Sequence, residues 1–190
     1  ASLSYNKGST TDFTPMISKI QQTNPEVFYP YGTYSEVAQI AIQARQLDFN
    51  VPMISHDSMM KDEFLDVGGD AVECFLLLTG ADPNLDYAPF QEFKKAFTEK
   101  FGDVTIDSHT LHCYDQMNMF AEALKQYGPD RAKINSYMRD VQNYEGVSST
   151  YSVNGGRPQK PMFPLYVKDG TWASWTKEAW DTDWTAYSGK

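Results

Sequence analysis

The chain has 190 residues, enough for one domain with a sizeable core, and its composition of 41 % apolar and 22 % charged residues is ordinary for a globular protein. A formal net charge of −9, without any cluster of Lys and Arg, excludes the basic surface that a nucleic-acid partner requires. The longest apolar run, residues 74–78, is strand-sized and far too short to span a membrane.

The two cysteines, Cys74 and Cys113, permit one disulfide without establishing it. Free cysteine packs as a small hydrophobic residue. We therefore expect two buried free thiols.

In the first 80 residues, strand-like runs alternate with segments of helical period. The predicted elements are an extended start at residues 2–5, a helix capped by Thr11 or Asp12, a strand at 27–31, a helix capped by Ser35, a strand at 51–55, a short helix at 61–67 and a doubly buried strand at 73–79. This alternation predicts an α/β fold with a parallel sheet and right-handed crossovers.

The rest of the chain predicts long helices followed by a β-rich tail. The expected elements are a helix at 86–101 with a core face of Phe90, Phe93, Phe97 and Phe101, a helix at 109–127 capped by Ser108, a helix from the cap Asp130 to Val141, and strands at 148–153, 163–168 and 171–175. Asp169-Gly170 marks a hairpin between the last two strands. We expect the terminal tryptophans to pack against the protein, with carbohydrate stacking as the less favoured alternative.

Several segments, in order, resemble one family. Residues 10–20 (TTDFTPMISKI), 24–27 (NPEV), 31–36 (YGTYSE), 43–49 (QARQLDF), 51–54 (VPMI), 68–73 (GGDAVE) and 112–115 (HCYD) resemble motifs of type I periplasmic solute-binding proteins, in the branched-chain amino-acid-binding group. Each segment alone is weak, but the ordered set is specific. The chain departs from the pattern at Tyr31 and Cys74, where the family usually has glycine.

The resemblance implies two α/β lobes joined by crossing segments, with ligand bound in the cleft between them. Residues 1–80 would then be an α/β segment of the second lobe, residues 81–150 a helical segment returning to the first lobe, and residues 151–190 a crossing strand, hairpin and aromatic tail. Crossings would fall near residues 80–82 and 149–154. Family members are about twice as long, so the N-terminal part of the first lobe would be absent.

The resemblance also suggests ligand-binding residues at the carboxyl ends of the strands. Asp57 matches the carboxylate that binds a ligand ammonium, and such charge-assisted bonds are strong; the alternative is an N-cap for the helix that follows. Tyr31, Thr33 and Tyr34 would face Asp57 from the preceding strand, or else serve ordinary packing. His56 either binds a ligand carboxylate or caps the loop. His109 starts the long helix, near a position where the family often has an aromatic residue that contacts the ligand, and the resemblance therefore implies a ligand contact by His109.

No catalytic or cofactor motif is present, and we expect neither an enzyme nor a cofactor. His109 and Cys113 lie at helical spacing for a metal pair, but no second cluster completes four ligands, so no metal is expected.

The chain is therefore interpreted as the extracytoplasmic solute-binding component of an ABC importer, periplasmic or extracellular, with a membrane-associated lipoprotein as an open alternative. It would capture an amino acid or related small carboxylic compound, and its partners would be permease subunits and either the missing N-terminal portion or a second copy. The alternative is a ligand-sensing domain of a receptor or regulator with the same fold.

Overall fold

The computed structural model describes residues 1–189, which form two compact units. The first unit consists of Ala1–Thr79 together with the chain from Pro164 onward, and the second unit is Gly80–Phe163. Among the described residues, none of the helices combines the length and apolarity that crossing a membrane requires.

The first unit is a mixed four-stranded sheet with helices around it. Its helices are α1 (Thr14–Gln21), α2 (Tyr34–Gln46), α3 (Asp62–Gly68) and α7 (Lys177–Ser188), with 3-10 turns at Asp57–Met59 and Gly69–Val72; its strands are β1 (Ile54–His56), β2 (Leu76–Thr79), β6 (Phe163–Lys168) and β7 (Thr171–Ser174). The strand order is β1-β2-β6-β7. The β1–β2 pair is parallel, as predicted, whereas β6 and β7 form the predicted antiparallel hairpin.

The strand predicted at residues 27–31 is reduced to a single parallel bridge, between Phe28 and Met53. Phe28 donates to Pro52 O at 2.9 Å and accepts from Ile54 N at 3.1 Å. The next bonds of a parallel ladder would need the N–H groups of Pro30 and Pro52, which proline lacks. The two prolines therefore end the ladder in both directions.

Strand β2 is shorter and more exposed than predicted. Leu77 is buried, but Leu78 on the opposite face is 48 % exposed, so the prediction of a strand buried on both faces is wrong. Cys74, just before the strand, has a φ of 59°. Glycine adopts this left-handed conformation most easily, which gives a physical reason for glycine at this position in the family.

The core of the first unit lies where α3, β2 and β7 meet. Phe64 of α3 is fully buried; its ring lies 5.0 Å from that of Phe75, edge to face, and 5.9 Å from that of Trp172, nearly parallel. Trp172 thus packs as predicted.

Helix α7 was not predicted. Its N-cap is Thr176, whose hydroxyl accepts from Ala179 N at 3.2 Å. Trp180 stacks on Trp184 at 5.6 Å and donates its indole N–H to Cys74 O at 3.1 Å. The two tryptophans are four residues apart, a spacing that places both on one face of a helix, and this spacing is the sequence signal for α7 that was missed.

The second unit is helical with a small antiparallel sheet. Its helices are α4 (Ala88–Phe101), α5 (Ser108–Tyr127) and α6 (Arg131–Asp140), and its strands are β3 (Tyr144–Glu145), β4 (Thr150–Asn154) and β5 (Arg157–Gln159), in the order β3-β4-β5. Strands β3 and β5 were not predicted. The cap of α5 is Asp107, which accepts from Thr110 N at 2.8 Å, and not Ser108 as predicted; Asp130 caps α6 as predicted.

The phenylalanines of α4 do not form the predicted core face. Only Phe90 is buried; Phe93 and Phe97 are half-buried and Phe101 is 58 % exposed. Together with Tyr114 and Met117 of α5, Phe93, Phe97 and Phe101 line an open apolar groove of about 720 Å³, which we call the α4–α5 face. The helical period correctly placed these phenylalanines on one side of α4, but none of the described residues covers the end of that side at Phe101.

Both cysteines are free, but only Cys74 is buried, so the expectation of two buried thiols is wrong for Cys113. Burial, followed by the nearby carboxylates of Glu73 and Asp183, raises the pKa of the Cys74 thiol to about 11. Cys113 is exposed because it lies on the open α4–α5 face.

A buried ion pair joins α5 to the segment after β5. Lys160 Nζ lies 2.9 Å from Asp115 Oδ2, and the two side chains are only 7 % and 2 % exposed. Asp115 Oδ1 also accepts from Val147 N at 2.9 Å, and the ammonium lies 4.2 Å from the ring centroid of Tyr151. Gly146 is required here because a Cβ at this position would collide with the Asp115 carboxylate.

Candidate functional site

The candidate site lies at the edge of the first unit's sheet where parallel segments end. Tyr31 follows the Phe28 bridge, His56 is the last residue of β1, and Asp57 begins the 3-10 turn after it. Because the segments run parallel, their carboxyl ends meet at one edge, where open α/β sheets bind ligands. The structure thus brings Tyr31, His56 and Asp57 to one place.

Two hydrogen bonds fix the Tyr31 loop. The buried hydroxyl of Ser55 donates to Pro30 O at 2.7 Å, and Tyr5 donates its hydroxyl to Tyr31 O at 3.0 Å. The Ser55 bond ties the loop to β1, since Pro30 has no N–H with which to continue the ladder. The position of the Tyr31 backbone is therefore set by side chains.

Three aromatic rings line up across this edge. The Tyr29 and Tyr31 ring centroids are 6.4 Å apart with an interplanar angle of 23°, and the Tyr31 and His56 centroids are 4.6 Å apart. Tyr29 and Tyr31 are 54 % and 66 % exposed. We call these three residues the aromatic strip. Tyr29 was missed as a site residue, although its alternation with Tyr31 places both on one face.

His56 fills the capping role that was one of its two predicted alternatives. Its Nδ1 accepts from Ser58 N at 3.4 Å, which makes His56 the cap of the 3-10 turn. Its Nε2 is buried and has no hydrogen-bond partner among the described residues. Since Nδ1 accepts, the proton of the neutral ring belongs on Nε2, which is therefore a desolvated donor.

Asp57 does not cap the helix that follows, because the N-cap of α3 is Lys61. The backbone carbonyl of Asp57 accepts from Met60 N at 3.0 Å and closes the turn. The alternative role predicted for Asp57 as a cap of the next helix is thus not found, and its ligand role stays a prediction.

Thr33 and Tyr34 begin α2. Thr33 is the N-cap, in place of the predicted Ser35, and forms a capping box with Glu36: the Glu36 carboxylate accepts from Thr33 N at 2.9 Å, and Thr33 Oγ1 accepts from Glu36 N at 3.4 Å. Partial burial acts to raise the pKa of the Glu36 carboxyl, but the hydrogen bonds from Thr33 and Gly8 outweigh it, so this pKa is lowered. The spacing of Thr33 and Glu36 is the sequence signal for this box, which was missed. Ligand contacts by Thr33 and Tyr34 stay predictions.

His109 belongs to the second unit, on the first turn of α5. It is exposed, with Nδ1 3.9 Å from Asp107 Oδ2. Its ligand role likewise stays a prediction. Across residues 1–189, no group of three or more His, Cys, Asp or Glu side chains is placed to hold a metal ion.

A separate cavity of about 410 Å³ lies between the start of the chain, α1 and residues 25–31. It is lined mainly by apolar side chains, including Phe13, Ile17 and Phe28, and reaches the aromatic strip at Tyr29 and Tyr31. His56 and Asp57 do not line it, so it lacks the charged group of the candidate site.

Comparison with known proteins identifies the class. Residues 4–171 match the family described as "Periplasmic binding protein". The chain is 27 % identical over 157 residues to the Leu/Ile/Val-binding protein homolog 1 of Brucella abortus, covering 82 % of this chain and 42 % of that protein. It is 29 % identical over 133 residues to an amino acid binding protein of Pseudomonas aeruginosa, covering 67 % and 34 % respectively.

Solved structures show the same fold. The leucine binding protein LivK of Thermotoga maritima superposes with a TM-score of 0.83 at 27 % identity, covering 91 % of this chain and 50 % of that one. LivJ of Streptococcus pneumoniae, in complex with isoleucine, gives 0.78 at 19 % identity, with 88 % and 48 % covered. A Rhodopseudomonas palustris solute-binding protein in complex with benzoate gives 0.75 at 15 % identity, with 88 % and 47 % covered.

The chain belongs to the periplasmic binding protein family and has the type I fold, as the sequence predicted. This is a family of binding proteins rather than enzymes, with an extracytoplasmic location. The chain spans about half the length of the relatives it matches.

Proposed function

We propose that this chain carries the ligand-binding edge of an extracytoplasmic solute-binding protein that serves an ABC importer. Its solute is an amino acid or a related small carboxylic compound, and no bond is made or broken. The proposal rests mainly on Asp57, a carboxylate at the carboxyl end of β1 beside the aromatic strip. The relatives named for leucine, isoleucine and valine or for amino acids support this class of solute.

In this proposal, Asp57 holds the solute's ammonium group. A carboxylate forms short, strong bonds to an ammonium, and its negative charge disfavours a solute with a carboxylate alone. Tyr31 and Tyr34, whose side chains are both exposed, cover the rest of the solute. Permease subunits are the partners that receive the solute. The first compact unit corresponds to the second lobe, and the second unit to part of the first lobe.

Asp57→Asn is expected to abolish amino-acid binding while leaving the fold intact, because asparagine keeps the size of the side chain but loses its charge. A thermal-shift panel of the twenty amino acids and a set of aromatic acids measures this, since a ligand that binds only the native state raises its stability. At a concentration 100 times the dissociation constant the gain is about 2.7 kcal/mol.

Asp62→Asn, a nearby substitution of the same kind on α3, is the matched control and should keep the shift. A selective shift that survives in Asp57→Asn would contradict the assigned role of Asp57. No shift with any amino acid would remove amino acids as the solute.

The α4–α5 face is proposed to be covered by another polypeptide, either the part of the longer relatives that this chain does not match or a second copy. Its apolar residues are largely exposed, Met117 to 66 %, and exposed patches of this kind mark interaction sites. Strand β7 also leaves one edge of its sheet open.

The purified chain alone is therefore expected to associate at micromolar concentration, with at least twice the mass of one chain by light scattering. Substituting Phe101 and Met117 by Lys should shift it to the monomer. A monomer without these substitutions would contradict covering of this face by a second copy.

A further inference from the structure

The aromatic strip is an unusual surface for a solute with an aliphatic side chain. Tyr29 and Tyr31 expose more than half of their area, and the rings of Tyr31 and His56 are in contact distance at 4.6 Å. Aromatic rings favour other rings, in offset or edge-to-face arrangements with centroids 4.5–7 Å apart, beyond what their buried area provides. The strip is therefore a surface on which a further ring gains more than an aliphatic chain of equal area.

The strip also carries one polar function that nothing within residues 1–189 satisfies. The Nε2 atom of His56 is buried without a partner, while Nδ1 is committed to Ser58 N. A buried donor without an acceptor costs free energy, and a solute oxygen placed against it removes that cost.

Asp57, the next residue, sets the charge of the solute. An anionic aromatic acid would meet its carboxylate with no compensating positive group on the solute. An amino acid supplies the ammonium for Asp57 and a carboxylate oxygen as an acceptor for the His56 N–H. These requirements together select a solute that has a ring, an ammonium and a carboxylate.

We infer that Tyr29, Tyr31 and His56 determine specificity and make this edge select an amino acid with an aromatic side chain over one with a branched aliphatic side chain. The inference rests on the proposed capture of an amino acid by Asp57. The inferred preference differs from the leucine, isoleucine and valine in the names of the relatives, because it follows from the aromatic rings of this chain.

The test is a titration of the 190-residue chain with L-phenylalanine and with L-leucine, followed by two-dimensional NMR, which detects even millimolar affinity. L-Phenylalanine is expected to bind about 3- to 10-fold more tightly, the range that a ring pair provides. Ring-current shifts should appear at Tyr29, Tyr31 and His56. Tyr31→Leu keeps the apolar area but removes the ring, and should bring the ratio of the two dissociation constants close to one.

Phe101→Leu is the matched control, since it removes an exposed ring of the second unit and should leave that ratio unchanged. If L-leucine binds as tightly as L-phenylalanine, or if Tyr31→Leu does not alter the ratio, the inference is overturned. Asp57→Asn separates it from the proposed function: binding of L-leucine that depends on Asp57 without any aromatic preference overturns the inference alone. Failure of both amino acids to bind overturns both.

Discussion

Replacing Lys160 with methionine is expected to destabilise the chain by about 3–5 kcal/mol, the usual cost of removing one member of a buried ion pair. Methionine keeps the length and apolar stem of lysine but removes the ammonium. The Asp115 carboxylate would then stay buried without a positive partner, with the Val147 N–H and the Tyr151 hydroxyl as its remaining hydrogen-bond contacts. The cation that lies 4.2 Å from the Tyr151 ring centroid is lost as well. Urea-induced unfolding measured by circular dichroism gives the free-energy difference.

Two further variants show whether the buried charge is the cause. Adding Asp115→Asn to Lys160→Met should restore much of the lost stability, because asparagine is neutral and still accepts from Val147 N. Lys133→Met removes an exposed partner of Asp130, whose Oδ2 lies 3.5 Å away, and should have no measurable effect. Equal losses for Lys160→Met and Lys133→Met would show that burial of the pair has no energetic role.

Phe64→Ala is expected to cost about 3–5 kcal/mol in the free energy of unfolding, because it leaves a cavity in the core of the first unit. Phe64 is fully buried and contacts the rings of Phe75 and Trp172. The surrounding helix and strands cannot close onto the space without shifting backbone, and the two ring contacts vanish. Chemical denaturation with tryptophan fluorescence reports this loss directly, since Trp172 is one of the neighbours.

The size of the effect can be graded with two controls. Phe64→Leu conserves most of the volume and should cost less than about 1.5 kcal/mol. Met117→Ala lies on an exposed helix surface and should stay within about 0.5 kcal/mol. A loss for Phe64→Ala no larger than that for Met117→Ala would contradict the described core.

The sequence predicted the helices of this fold well, because their periods and caps are local properties. Helices α2, α4, α5 and α6 lie within two or three residues of the predicted ranges, and the Asp169-Gly170 hairpin is present with both residues at positive φ. The errors arose where pairing depends on a distant partner. Proline at residues 30 and 52 limits the Phe28 segment to one bridge, which is visible only once its register with Met53 is known.

In the candidate site, too, the sequence predicted local features but not those that depend on distant parts of the chain. The order of strand ends in the sequence was enough to place Tyr31, His56 and Asp57 at one edge. The role of Thr33 in a capping box was readable from its spacing to Glu36, yet the flanking Ser35 was preferred. The unpartnered Nε2 of His56 depends on three-dimensional packing, and no sequence pattern reports it. The exposure of Phe101 and Cys113 depends on what covers α4 and α5, which helical period does not reveal.

The central claim is that Asp57 holds the ammonium group of an amino-acid solute. A crystal structure of the chain with the amino acid that gives the largest thermal shift tests it most directly. We expect the ammonium nitrogen about 2.7–2.9 Å from an Asp57 carboxylate oxygen, with the side chain against Tyr31. Solute in the 410 Å³ cavity beside α1 instead, with its ammonium far from Asp57, would contradict this account.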